Sequence, residues 1–149
     1  MVPSDSEGSL PETRRILFLF AHPDDEFFFS SWIRKAVQDN HEVYCVYVTN
    51  GAWANVQPET RMGESTRALA ALGVPESHLF FTGMKTGIGD QKAHRNLGLL
   101  FESLLPAVGK IKIEELYLLA WEGGHIDHDA GHLLGIALAR TMNIPTVYE

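Results

Sequence analysis

The feature that most constrains this chain is the run Ile16-Leu17-Phe18-Leu19-Phe20. Its hydrophobicity is continuous rather than alternating, which suits a strand covered on both faces. The run ends directly in Ala21-His22-Pro23-Asp24-Asp25-Glu26, after which Phe27-Phe28-Phe29 resumes the apolar sequence. A cluster of ionisable side chains between two greasy segments needs a partner, and the usual partner is a metal or a reaction.

The remaining sequence alternates in the same way. Strands are predicted at Arg15 to Phe20, Glu42 to Thr49, Leu79 to Phe81 and Glu115 to Ala120, with a fifth beginning at Val147-Tyr148. Helices are predicted from Asp25 or Glu26 to Gln38, from Pro58 to Leu72, from Ala93 to Ala107 with a break around Pro106, and from Asp129 to Met142. Thr82 to Asp90 is expected to be a glycine-rich loop. Pro58 suits a first helical turn and Gly73 the position just past a helix end. Strands alternating with helices give a parallel α/β sheet. Right-handed crossovers then place every loop that follows a strand along one edge. His22 to Glu26, Asn50 to Val56, Thr82 to Asp90 and Trp121 to His128 should therefore converge where ligands bind in open parallel sheets.

Composition narrows the classes. A chain of 149 residues is expected to be one domain with a core large enough to need no disulfide. The formal net charge of −7 argues against nucleic acid as a partner. No apolar run approaches the ~20 residues that span a bilayer. Residues 1–13 are polar, lack the pattern of a signal peptide, and read as a disordered leader to a domain over 14–149. Cys45, the single cysteine, lies in an apolar run and reads as a structural buried thiol. Nothing argues for an oxidising compartment, so a cytoplasmic location is expected. An unfinished last strand would leave a sheet edge open to a second chain, which admits a homo-oligomer.

Two clusters carry the chemistry. His22 is followed three residues later by Asp25, and His125 by His128, so each pair can share one side of a turn. Two imidazoles and a carboxylate around an open position can bind zinc and activate water. Iron(II) uses the same donor set. A neighbouring carboxylate can serve as general base, and a spare histidine can stabilise or protonate developing charge.

The string Ala-His-Pro-Asp-Asp-Glu after a first strand, with His125-x-Asp127-His128 after the fourth, resembles the LmbE-like/PIG-L family of zinc-dependent N-acetylglucosaminyl deacetylases. Arg61-x-x-Glu64-x-x-x-Ala68-x-x-x-Leu72-Gly73 is similar to the family's second helix. The resemblance implies a Rossmann-like three-layer α/β/α sandwich with a mainly parallel sheet of about five strands. It implies that His22, Asp25 and His128 hold zinc, that Asp24 is the general base, and that His125 stabilises the oxyanion and protonates the leaving amine. It implies that Asp127 orients His125 and that Arg61 and Asp90 contact substrate. The partner implied is a small acetylated amino-sugar or glycoconjugate. Ile126 stands where relatives often have proline, and members usually continue several tens of residues beyond the last strand. Two alternatives stay open: another N-acyl amide hydrolase on the same platform, or a metal-binding module without catalysis.

Plainer readings apply elsewhere. His132 is expected on a helix face, and His41, His78 and His94 at the surface. Arg61 and Glu64 could form a helical ion pair. Trp53 and Trp121 could stack on a sugar or anchor loops. Phe27-Phe28-Phe29 is expected in the core.

Overall fold

The computed structural model describes residues 12–149; the expected leader lies outside them except for Glu12 and Thr13. Five strands form one sheet: β1 (Arg15–Phe20), β2 (Glu42–Tyr47), β3 (Leu79–Phe81), β4 (Glu115–Leu118) and β5 (Thr146–Tyr148), in the order β3-β2-β1-β4-β5. Every pairing is parallel, with Phe18 level with Cys45 on one side and Tyr117 on the other. The helices are α1 (Glu26–Gln38), α2 (Pro58–Leu72), α3 (Thr82–Thr86), α4 (Leu97–Val108) and α5 (Ile126–Met142).

The continuous apolar run of β1 has the reason anticipated for it. Alternate side chains enter two separate cores. Leu17, Leu19 and Ala21 join Leu100 and Leu104 of α4 and Leu134 and Leu138 of α5. Ile16, Phe18 and Phe20 join Ile33 of α1 and Leu69 of α2 on the opposite face. Full burial of each such side chain contributes about 1.5–3 kcal/mol. Cys45 is fully buried in the second core, and that burial pushes its thiol pKa well up. α5 lies close on β4: a Cβ at Gly135 would stand 2.2 Å from Leu118 Cδ2.

Several expectations need correction. The segment expected as a glycine-rich loop opens with the short helix α3. The Thr82 hydroxyl donates to the Tyr47 carbonyl at 2.8 Å, and glycine at position 83 lets the backbone press against that of Thr49. The predicted helix from Ala93 begins instead as a 3-10 turn, Ala93–Arg95, before α4. Pro106 does not break α4, because it costs one hydrogen bond on an exposed face while Leu104 and Val108 stay buried. Phe27 and Phe28 are exposed rather than core; only Phe29 packs inward.

The last difference positions the site. α5 begins at Ile126, three residues before the predicted start. Asp127 and Asp129 in its first turn complement the positive end of the helix dipole. Asp129 also accepts the Glu122 and Gly123 amides at 2.9 and 3.1 Å, tying the preceding loop to the helix.

Candidate metal centre

The strand order reverses between β1 and β4, so the crevice at their carboxyl ends is the switch point of the sheet. His22 to Asp25 leave β1 as a turn closed by the Asp25 amide on the His22 carbonyl at 3.2 Å. Asp24 takes φ 115° in that turn, a region disfavoured for any residue with a side chain. Such conformations cost on the order of 1–3 kcal/mol and persist where neighbours impose them. Here the Asp24 amide donates to Glu26 Oε2 at 2.9 Å, and the Tyr47 hydroxyl donates to the same oxygen at 2.9 Å.

From β4, the loop and the first turn of α5 bring His125, Asp127 and His128 to the same crevice. The His125 and His128 rings stack with centroids 4.2 Å apart. His22 lies 5.0 Å from His125 and 5.4 Å from His128 by the same measure. The three imidazoles offer nitrogens within 4.8 Å of one another.

The outer hydrogen bonds orient these rings. His22 Nε2 lies 3.1 Å from an Asp127 carboxylate oxygen, which leaves Nδ1 facing Asp25 Oδ2 at 3.6 Å. His128 Nδ1 lies 2.9 Å from Glu122 Oε1, which leaves Nε2 facing Asp25 Oδ1 at 3.3 Å. Both inner ring nitrogens thus converge on one carboxylate, while a second carboxylate holds each ring from outside, as at histidine–metal sites generally. The Asp25 carboxylate also accepts the His22 amide at 2.8 Å.

The charges agree with this geometry. Burial lowers the pKa of His22, but bonds to Asp127 and Asp25 and the charges of Asp25 and Asp90 outweigh it and raise the group to about 10. The bond to Asp25 raises His128 to about 8, against its burial and with help from Glu122. Burial would raise Asp25, yet His128 and His22 hold it below the usual carboxylate range. Partial burial pushes Asp24 above that range, with Arg61 acting in the opposite sense.

The residues suit a borderline metal such as zinc: imidazoles and carboxylates, mostly buried, with few cations among them. Among the described residues, the buried His125 Nδ1 has no hydrogen-bond partner.

His22, Asp24, Asp25, Arg61, Asp90, His125 and His128 all line one cavity of about 480 Å³. Arg61 donates to the Pro23 carbonyl at 2.8 Å and pairs with the Asp24 carboxylate, not with Glu64. Gly51 makes room for this arginine: φ is +65° and a Cβ would lie 2.8 Å from Pro23 and 3.2 Å from Arg61. Asp90 Oδ1 approaches His22 Nε2 at 3.1 Å. Asp127 sits elsewhere than its expected role requires. Its carboxylate meets His22 and accepts the Gln91 and Ala93 amides, and it makes no bond to His125. His132 bonds the Leu119 carbonyl, outside the cluster. Trp53 and Trp121 are exposed and line no part of the cavity. A larger hollow of about 660 Å³, near Lys110, Glu114 and Asn143, lies at the opposite edge of the sheet and has no histidine.

Two residues with a place in the site were missed in the sequence. Glu122 gave no signal, since its contact with His128 follows from the loop's path. Glu26 belongs to the motif, but its buried bond to Tyr47 joins the start of α1 to the end of β2, which only the fold brings together.

No curated protein matches the chain. Several solved structures share its fold. The A40926 pseudoaglycone deacetylase superposes with a TM-score of 0.73 at 20% identity, over 91% of this chain and 62% of that one. The zinc-inhibited form of teicoplanin deacetylase gives 0.72 at 17% identity, over 89% and 65%. The N,N'-diacetylchitobiose deacetylase of Pyrococcus horikoshii gives 0.66 at 17% identity, over 87% and 50%. The chain therefore spans between half and two thirds of the length of these three proteins. Residues 17–139 match PIG-L, described as GlcNAc-PI de-N-acetylase, and the chain belongs to that family.

Proposed function

We propose that this chain is a zinc-dependent hydrolase that removes the acetyl group from an N-acetylglucosamine-type or related amino-sugar. The observation that carries the reading is the meeting of two histidine–carboxylate clusters, from the ends of β1 and β4, around one cavity that also contains Asp24. Family membership and the deacetylases that share the fold support it.

His22, Asp25 and His128 would hold the metal. Bound there, zinc supplies polarisation of the amide carbonyl and a water of lowered pKa. Asp24, raised above the ordinary carboxylate range and steadied by Arg61, accepts a proton from the attacking water. His125 donates a hydrogen bond to the carbonyl oxygen as that atom gains charge, and a proton to the leaving nitrogen as the C–N bond breaks. Acetate and a free amine are the products. Asp127 holds His22 in register rather than turning His125. Arg61 and Asp90 offer polar contacts for sugar hydroxyls.

The test is release of primary amine from N-acetylglucosamine and its glycosides by protein loaded with zinc, with iron(II) run in parallel. The expected activity is abolished by a chelator and restored by zinc. Loaded protein that releases no amine from any of these substrates would refute the reading.

A further inference from the structure

Among the described residues, Phe27 and Phe28 are the only apolar side chains that line the catalytic cavity. They follow the Asp24-Asp25-Glu26 turn directly, in the first turn of α1. The fold makes little use of their rings. The inward stripe of α1 is Phe29, Ile33 and Ala36, spaced as one helical face, whereas Phe27 and Phe28 are 78% and 63% exposed. Each ring's aromatic neighbour is the other, with centroids 6.1 Å apart at 72°. Two adjacent, exposed phenylalanines at the mouth of an otherwise charged cavity form an edge that can take up a greasy group.

We infer that Phe27 and Phe28 form a subsite for an apolar group on the amine side of the substrate. The inference rests on the deacetylase reading in one respect. An acetyl group has two carbons and is held at the buried metal ligands, so an apolar part that reaches the exposed rim belongs to the other half of the molecule. The substrate class is then an acetylated amino-sugar carrying an alkyl or aryl aglycone. The free sugar lacks such a group.

The experiment compares N-acetylglucosamine with its octyl and aryl glycosides, using zinc-loaded wild type, F27S/F28S and F27L/F28L. In the wild type kcat/KM is expected to favour the glycosides by about tenfold or more. The ratio should fall toward one in the serine variant and be largely kept in the leucine variant. Calorimetric binding of the octyl glycoside gives a readout independent of turnover, with about tenfold weaker binding expected for the serine variant. Binding equal in wild type and serine variant, or a glycoside preference that the serine variant keeps in full, would overturn the subsite. No turnover of any substrate, with binding still sensitive to the serines, would sink the deacetylase reading and leave the subsite standing.

Discussion

His22 Nε2 and the Asp127 carboxylate lie 3.1 Å apart, although 105 residues of chain separate them. Asp127 is fully buried and also accepts the Ala93 amide at 2.9 Å, so its position is fixed independently of the imidazole. The Asp127→Asn protein is expected to bind zinc about 10–100-fold more weakly, as loss of such outer partners commonly does. Its melting temperature should fall as well, because the backbone amides lose a charged acceptor. Chelator competition measures the first effect; wild-type zinc affinity would show that His22 needs no support from Asp127.

Asp24 shares the cavity with the candidate ligands yet directs its carboxylate to Arg61. Asp24→Asn should keep zinc and lose about 10²–10⁴ in kcat, the range typical of a general base. Metal analysis beside amine-release kinetics separates the two. Undiminished turnover would take Asp24 out of the base role.

His125 stacks on His128, and its Nδ1 has no hydrogen-bond partner among the described residues. His125→Ala is expected to retain metal and to lose about 10²–10³ in rate, as when one oxyanion donor is removed. A variant that purifies without metal and takes up none when zinc is added would instead make His125 a ligand.

In the metal-free protein, protons stand where the metal would. His22 and His128 are raised to about 10 and about 8 from an unfolded value of about 6.5. Raised histidines contribute stability that is complete below pH ~6.5 and is lost as pH climbs through those folded values. Zinc requires neutral imidazoles, so uptake at pH 7 should release about two protons and tighten as pH rises. Calorimetry in buffers of different ionisation enthalpy counts the protons; no release would mean both rings are already neutral.

Much of this was legible in the chain. Arg15–Phe20, Pro58–Leu72 and Leu79–Phe81 have the predicted bounds, because continuous apolar runs, a proline at a helix start and a glycine past its end act locally. The convergence of His22 and His128 followed from handedness alone. Other features depend on contacts no local pattern encodes. Gly123-Gly124 hid the early start of α5, which Asp129 secures through two loop amides. Three consecutive phenylalanines looked like core until the helical phase, set by Ile33 and Ala36, turned two of them outward. The resemblance implies a pairing of Asp127 with its sequence neighbour His125, whereas a distant strand end supplies its partner.

The pairing of β1 with β4 has a consequence for how the chain reaches its native state. Ile16 pairs with Glu115 across most of the molecule, the kind of long loop closure that is slow to form. Because the site straddles that seam, any cation it prefers over the unfolded chain adds RT ln(1 + [L]/Kd) to stability. That gain depends on the centre of the sheet being zipped. Cofactor loading is therefore a thermodynamic gauge of sheet closure: a mutation in the β1–β4 seam, remote from every ligand, should lower apparent metal affinity in proportion to the unfolded population it creates.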